Sequence, residues 1–242
     1  MKQRINRILS QAGVTSRRNA DELIRNGRIM LNGQRVLEMG VKAEWGRDSI
    51  RLDGREIPGP RDRFYIILNK PFGYISSLND PEGRPVITDL IKDIPRRLYP
   101  VGRLDFDSLG LLLMTDDGDF SYRLTHPKYH VPKTYKVTVS GTVTPEALEN
   151  LRQGVKLDDG YSGNSKASLI RQKGDRSVIR VTVYQGRNRM VRRMMEGIGC
   201  NVIQLMRTGF GSLEIGNLKV GKYRYLTEDE VNDLKQMVGI KS

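Results

Sequence analysis

The sequence predicts an α+β protein of two domains, and three observations support this prediction. First, the longer part of the chain mixes strand and helix patterns without the strict alternation of an α/β sheet. Second, two short helical patterns and a hairpin signal fall within residues 1–57. Third, residues 58–63 combine prolines, a glycine and charges, which is typical of a linker. We expect a small domain at 1–57, a linker at 58–63 and a larger domain at 64–242.

The small domain is predicted to contain two helices that lead into a curled sheet. Ile5, Ile8 and Leu9 recur at helical spacing, and either residue of the Thr-Ser pair at 15–16 can cap a second helix. Asn32-Gly33 follows this second helix and is the strongest short-range signal for a β-hairpin. Helix, helix and hairpin is therefore the expected order.

The larger domain opens with a strand pattern at residues 64–68. The apolar run Leu109–Met114 predicts a buried strand that ends at the turn pair Asp117-Gly118. Further strand patterns lie at 135–139, 166–170 and 177–184, and helical patterns at 144–153, 188–198 and 227–237. Asp116, Asp117 and Asp119 lack the spacing of an EF-hand calcium loop, so turn formation and helix capping explain them better.

The net charge of the chain indicates which class of molecule it binds. The 242 residues include 41 Lys+Arg and 28 Asp+Glu, a net charge of +13, which favours binding to nucleic acid over the alternative of a basic but inert surface. The chain has no apolar stretch long enough to span a membrane and no secretory signal pattern. Cys200 is the only cysteine and there are two histidines, so we expect a cytoplasmic protein without disulfide or metal site.

Residues 1–57 resemble an S4 RNA-binding module. The resemblance rests on Gly13-Val14, Ser16-Arg17-Arg18, Ala20, Ile24, Gly27, Leu31-Asn32-Gly33 and Val36. S4 modules present a basic helix face to RNA, and the alternative is that this face is only solvated. The RNA contacts that we expect from this domain are Arg4, Arg17, Arg18 and Arg25.

The larger domain carries four sequence motifs. One motif comprises Gly102-Arg103-Leu104-Asp105, Gly110-Leu111-Leu112-Leu113, Thr115, Asp117-Gly118, Leu124 and His126-Pro127. The other three are Asn69-Lys70-Pro71-Phe72-Gly73, Lys133-Thr134-Tyr135, and Gly186-Arg187-Asn188-Arg189 with Val191-Arg192-Arg193-Met194. In residues and in order, these motifs resemble those of the pseudouridine synthases of the RsuA/RluB type. The resemblance implies a mixed, mainly antiparallel central sheet. Ser108 and Met190 depart from the usual Thr and Gln or Glu of the family.

The resemblance also implies the roles of the site residues. Asp105 is the expected catalytic carboxylate, Arg192 its ion-pair partner, and Tyr135 the residue that stacks on the target uracil. Taken alone, Asp105 is more often a cap or an ion-pair residue, and Tyr135 is equally well a core residue. Arg103 is expected to fill the space that the flipped base leaves. Further RNA contacts are expected from Lys70, Lys133, Arg187, Arg189 and Arg193.

Together these patterns predict an enzyme that isomerises a uridine to pseudouridine in ribosomal RNA, most consistently in the large subunit (23S). Small-subunit (16S) rRNA or tRNA is an alternative substrate, and a non-catalytic ribosome-associated RNA-binding protein is an alternative function. The reaction exchanges no electrons or groups with a third molecule, so we expect no cofactor. We expect a monomer that meets rRNA free or in a ribosome assembly intermediate.

Overall fold

The first unit of the chain contains the two predicted helices. A computed structural model describes residues 2–60 and 62–240, which divide into two units between Arg63 and Phe64. The elements of the first unit are β1 (Gln3–Arg4), α1 (Ile5–Gln11), α2 (Arg17–Arg25), β2 (Ile29–Leu31), β3 (Gln34–Val36), β4 (Lys42–Ala43), β5 (Ile50–Leu52) and β6 (Arg55–Glu56). The predicted boundaries at residues 57 and 64 stay predictions.

Local chemistry explains where these elements begin and end. The Ser16 hydroxyl accepts a hydrogen bond from the Asn19 backbone N–H at 3.2 Å and caps α2. Asn32 and Gly33 both have positive φ, 50° and 83°, as a type I′ turn between β2 and β3 requires. The buried apolar faces of α1 and α2 pack with β2 and β5 around Ile8 and Ile29. The two helices and the hairpin are therefore confirmed.

The second unit is built on one large sheet. Its strands are β7 (Tyr65–Lys70), β8 (Tyr99–Pro100), β9 (Ser108–Thr115), β10 (Lys133–Ser140), β11 (Lys156–Leu157), β12 (Gly160–Tyr161), β13 (Lys166–Lys173), β14 (Arg176–Val183), β15 (Val202–Phe210), β16 (Leu213–Glu214) and β17 (Tyr223–Tyr225). Its helices are α3 (Gly118–Thr125), α4 (Pro145–Gln153), α5 (Met190–Gly197) and α6 (Glu228–Met237), with short 3-10 turns at Ile87–Leu90 and Pro127–Tyr129.

The central sheet is mixed and mainly antiparallel, as the resemblance implies. Its strand order is β13-β14-β10-β15-β9-β7-β17, with β16 beside β15 and β8 beside β9. β9 and β15 run parallel, with Gly110 opposite Arg207, whereas the other pairs described in this sheet are antiparallel. The α+β class is confirmed.

Apolar layers cover both faces of this sheet. Leu112 of β9 belongs to the core that includes α5, whereas its neighbour Leu111 belongs to the core that includes α3 and α6. Because side chains alternate along a strand, a strand buried on both faces is continuously apolar, which is why Leu109–Met114 was recognisable in the sequence. Full burial of each leucine contributes about 1.5–3 kcal/mol.

The sequence patterns did not predict several elements of the second unit, which include β15, β17 and α3 as well as the two-residue strands β8, β11, β12 and β16. Asp117 begins α3 because its carboxylate accepts hydrogen bonds from the backbone N–H groups of Asp119 and Phe120 at 3.2 and 3.1 Å. Asp116 instead accepts from Arg96 and from the Phe64 backbone. The structural interpretation is confirmed for Asp116 and Asp117.

Two further properties concern the whole described chain. None of the helices in residues 2–60 and 62–240 has the length and apolar composition needed to cross a membrane. Over the same residues, no three His, Cys, Asp or Glu side chains form a group that could hold a metal ion.

Candidate active site

A cleft of about 270 Å³ lies where three of the four motifs of the second unit meet, namely the motif that contains Asp105, the motif Lys133-Thr134-Tyr135 and the motif that begins at Gly186. Its walls are the loop before β9, the strands β10 and β15, and the segment that leads into α5. The residues predicted for the site that line it are Arg103, Asp105, Lys133, Tyr135, Arg187 and Arg189. The fold therefore brings together motifs that lie up to 86 residues apart in sequence (103 to 189).

The loop that carries Asp105 is held by its backbone. The Ser108 N–H donates to the Asp105 carbonyl at 3.0 Å. The Ser76 hydroxyl donates to the Leu104 carbonyl at 2.7 Å and accepts from the Leu104 N–H at 3.1 Å. The Asp105 carboxylate itself is 36% exposed and opens on the cleft. The loop therefore combines a fixed backbone with a carboxylate that is accessible from the cleft.

Lys70 lies under this loop, and its predicted role in RNA binding is wrong. The residue is fully buried, and its ammonium group donates to the carbonyls of Pro71, Asp105 and Ser108 at 3.0, 3.0 and 2.8 Å. It cannot reach a phosphate group from there. Burial lowers the pKa of Lys70 to about 8, although the carboxylates of Asp105 and Asp107 raise it in part. Lys70 is thus a buried anchor of the loop that carries Asp105.

The expected ion pair between Arg192 and Asp105 is replaced by a pair with Asp107. Arg192 is 7% exposed on α5, and its guanidinium donates to the Asp107 carbonyl at 2.8 Å and approaches the Asp107 carboxylate at 3.2 Å. The described cation nearest to Asp105 is Arg189, 4.0 Å from its carboxylate. Arg189 also binds both oxygens of Asp107 at 3.2 and 3.3 Å. Arg192 therefore supports the loop, and Arg189 supplies the positive charge beside Asp105.

Arg189 holds this position with an uncommon backbone conformation. Its φ is 47°, in the left-handed region, directly before α5 begins at Met190. The hydrogen bonds with Asp107 raise the pKa of Arg189. A strained residue that contacts two acids of the same loop fits a site whose geometry is imposed by the surrounding structure.

The floor of the cleft combines an aromatic ring with two buried cations. Tyr135 on β10 is 9% exposed, and it lies opposite Arg207 in the pairing of β10 with β15. Arg207 is 2% exposed and donates to the Leu111 carbonyl at 2.7 Å. Lys133 donates to the Val131 carbonyl at 3.1 Å, and burial and nearby Arg207 lower the pKa of Lys133 to about 8. This surface favours a flat, electron-rich or anionic ligand.

Arg187 and Arg193 both bind Asp159 in the turn between β11 and β12. Arg187 donates to the Asp159 carboxylate at 3.0 Å, and Arg193 binds both of its oxygens at 2.8 and 3.1 Å. The hydrogen bond from Arg193 and the charges of both arginines lower the pKa of the Asp159 carboxyl. These two arginines therefore hold the segment before α5 in place.

The two departures from the family pattern also lie at the cleft. The Ser108 hydroxyl is buried and has no hydrogen-bond partner in the described chain. Met190, the first residue of α5, is buried in the core, and part of the residue lines the cleft.

The remaining predicted RNA contacts are exposed. Arg103 is exposed at the cleft. In the first unit, Arg4, Arg17, Arg18 and Arg25 are all exposed. Exposure leaves these side chains accessible to a polyanion.

Sequence reasoning missed three residues that the site uses: Asp107, Asp159 and Arg207. Asp107 has a recognisable signal, since it is a second acid two positions after Asp105 in a strongly basic chain. Arg207 has a weaker one, as a lone cation among the mixed residues of β15. Asp159 has none, because its partners lie 28 and 34 positions away.

Comparisons with known proteins agree over the whole chain. The profile of the family described as RNA pseudouridylate synthase matches residues 64–197, and that of the S4 domain matches residues 3–42. A Bacillus subtilis protein named ribosomal large subunit pseudouridine synthase B is 43% identical over 237 residues, 97% of this chain and 96% of that protein. An Aquifex aeolicus protein described as an uncharacterized RNA pseudouridine synthase is 41% identical over 242 residues, 100% of this chain and 97% of that protein.

A solved structure extends this agreement to three dimensions. A crystal structure of pseudouridylate synthase superposes with a TM-score of 0.69 at 30% sequence identity. The match covers 96% of this chain and 99% of that one.

Proposed function

The chain belongs to the RNA pseudouridylate synthase family, and we propose that it isomerises a uridine of large-subunit ribosomal RNA with Asp105 as the catalytic carboxylate. The observation that supports this role best is the accessible Asp105 carboxylate in the cleft, 4.0 Å from Arg189. Arg189 places a positive charge beside the carboxylate, and a carboxylate is the group that can attack C1′ or accept a proton in this reaction.

The reaction requires a carboxylate of the enzyme and exchanges no electrons or groups with a third molecule. The bond between C1′ of the ribose and N1 of uracil breaks, a bond between C1′ and C5 forms, and the C5 proton leaves while N1 gains one. Asp105 serves at the ribose, by adding to C1′ or by removing the C2′ proton, and an ionised group is required for either route. Asp105 is anchored through its backbone carbonyl, so its side chain is available to act at the ribose.

Three further residues serve the target nucleotide in this proposal. Tyr135 in the cleft floor stacks on the uracil after it leaves the RNA stack. Arg103 is exposed at the cleft and occupies the space that the base leaves. Arg192 acts indirectly, since it fixes Asp107 and with it the position of Arg189. Arg192 is thus a positioning residue.

Ribosomal RNA is the substrate that the similar proteins and the charge favour. The Bacillus subtilis relative is named for the large ribosomal subunit and matches almost the whole chain. The exposed arginines of the S4 domain provide a second basic surface for RNA phosphates. Two RNA-binding parts on one chain suit a large folded RNA, in which unpaired bases are recognised by shape and stacking.

The test is tritium release from rRNA labelled at C5 of uridine. We expect the purified chain to release tritium from 23S rRNA, because the C5 proton is lost in the reaction, and to release much less from 16S rRNA. The Asp105→Asn variant serves as the inactive control. Release from 16S rRNA alone would contradict the proposed substrate, and release from neither rRNA, free or in assembly intermediates, would contradict the proposed reaction on rRNA.

The rate of the reaction should also depend on the protonation of Lys70. Above pH 8 its neutral amine has two N–H donors for three carbonyl acceptors, so the catalytic loop loosens and kcat falls. Stability changes in the opposite direction. Because the folded pKa of about 8 lies below the ordinary 10.5, the unfolded chain binds more protons between these values, and this group's contribution to the free energy of unfolding rises with pH.

The measurement is single-turnover tritium release at pH values on both sides of 8, with thermal unfolding in the same buffers. The Lys133→Met variant is the control, since burial also lowers the pKa of Lys133 to about 8. We expect the alkaline fall in rate to persist in this variant. A flat profile in the wild type, or a profile that Lys133→Met flattens, would rule out Lys70 as its source.

A further inference from the structure

Two phenylalanines lie exposed beside the catalytic loop. Phe72, which follows β7, is 61% exposed, and Phe106, the residue next to Asp105, is 46% exposed. Their ring centroids are 6.0 Å apart with an angle of 56° between the planes. Large apolar side chains at such exposure leave ring surface in water, which is unfavourable unless a ligand covers it.

The backbone holds this aromatic pair in place. The Gly73 N–H donates to the Phe106 carbonyl at 3.0 Å, which joins the loop after β7 to the catalytic loop. Below them, the buried Lys70 ammonium binds the carbonyls of Pro71 and Asp105, the residues that precede the two phenylalanines. Both rings therefore project from segments tied to the same cation. Binding to a preorganised pair loses less conformational entropy than binding to mobile side chains.

The charge around the pair indicates what covers it. Arg103 lies three positions before Phe106 and is exposed, and Arg189 contacts the loop on both sides of Phe106 through Asp105 and Asp107. The chain as a whole carries a net charge of +13. Aromatic faces set among cations are typical of surfaces that bind single-stranded nucleic acid, where bases stack on rings and phosphates meet cations.

We propose that Phe72 and Phe106 form a stacking platform for an unpaired RNA base that neighbours the target uridine. This inference rests on the proposed function, because the target uridine itself must reach Asp105. Phe106 is adjacent to Asp105 in sequence, so a base on the platform lies close to the nucleotide in the cleft. The platform holds the flanking strand in an unstacked conformation, and it thereby selects single-stranded over paired target sites.

The test compares variants that remove the ring with variants that keep it. Phe106→Leu and Phe72→Leu keep apolar side chains but remove the aromatic faces, whereas Phe106→Tyr and Phe72→Tyr keep them. Tyr122→Ala, which truncates a 57% exposed aromatic side chain on α3, is the matched control. Because all three side chains are exposed, the melting temperatures should stay close to that of the wild type, and this is measured first.

Binding to a 23S rRNA transcript and tritium release from it are then measured for each variant. Each leucine variant should bind about fivefold to hundredfold more weakly, since stacking contributes about 1–3 kcal/mol per base and tenfold corresponds to about 1.4 kcal/mol. At saturating RNA its kcat should remain near that of the wild type, so the loss appears in KM. The tyrosine variants and Tyr122→Ala should bind as the wild type does.

The outcomes separate the platform from the reaction. Leucine variants that bind 23S rRNA as tightly as the wild type would overturn the platform, whether or not tritium is released, and would point to a protein as the ligand of these rings. Equal losses in leucine and tyrosine variants would also overturn it, because the ring would then be irrelevant. A wild type that binds through the rings but releases no tritium would overturn the proposed reaction and leave the platform standing.

Discussion

Asp105→Asn is expected to abolish isomerisation, with a fall in kcat of about a thousandfold or more, while rRNA binding stays close to that of the wild type. Asparagine has nearly the same shape but carries no charge, so it neither attacks C1′ nor accepts the C2′ proton. The loop should keep its position, because Lys70 and Ser108 bind the backbone carbonyl of residue 105. Arg189 also keeps its two bonds to Asp107.

The matched control for this prediction is Asp107→Asn. Asp107 lies in the same loop with similar exposure, 33% against 36%, and binds Arg189 and Arg192. Its substitution weakens the support of the loop but leaves the reacting carboxylate, so its effect on single-turnover tritium release should be much smaller. Equal losses in the two variants would indicate that Asp105 acts only through loop structure, and an active Asp105→Asn would rule it out as the catalytic group.

Gly110→Ala is expected to be the most damaging small substitution for stability, with a loss of about 4 kcal/mol or more in the free energy of unfolding. Gly110 has a φ of 106°, and a Cβ atom there would lie 2.2 Å from the Arg207 carbonyl oxygen and 2.8 Å from its nitrogen. The clash is with backbone, which cannot rotate away as a side chain can. Relief requires that β9 and β15 separate at the point where they pair.

Gly141→Ala separates this clash from backbone strain. Gly141 has a comparable φ of 88°, but a Cβ atom there meets nothing within 4 Å. The Gly141→Ala variant should therefore lose only about 1–2 kcal/mol in the free energy of unfolding, which is the penalty for an alanine in the left-handed backbone conformation. Chemical denaturation of both variants measures the difference, and similar losses would contradict the steric argument.

Much of the fold could be predicted because its elements have strong local patterns. β9 is an apolar run, and α4 and α6 show helical periodicity with Thr144 and Thr227 as caps. β15 lies in the middle of the sheet yet was missed. Its sequence places Gln204, Arg207 and Gly209 among apolar residues, and their burial depends on neighbours from β9 and β10 rather than on local pattern.

In the candidate site, too, some features could be predicted from the sequence and others depend on the folded chain. The family resemblance predicted that Asp105 and Tyr135 share one site, and both line the cleft, whereas Arg189 was expected only as an RNA contact. The resemblance was not sufficient to pair the charges, because residues 105 and 107 lie on one short loop and only its path decides which acid Arg192 meets. Lys70 was misinterpreted for a related reason. A lysine in a basic chain is usually solvated, and only three converging carbonyls make its burial favourable.

The parallel pairing of β9 with β15 determines how much of the chain must be synthesised before the cleft can form. The cleft takes residues from 101 to 210, and its floor forms when β15 enters between β9 and β10. A growing chain that has exposed Asp105 but not yet Arg207 lacks the strand that closes the site. The cleft is therefore incomplete until the chain up to residue 210 is available, and its assembly depends on pairing between strands that are distant in sequence.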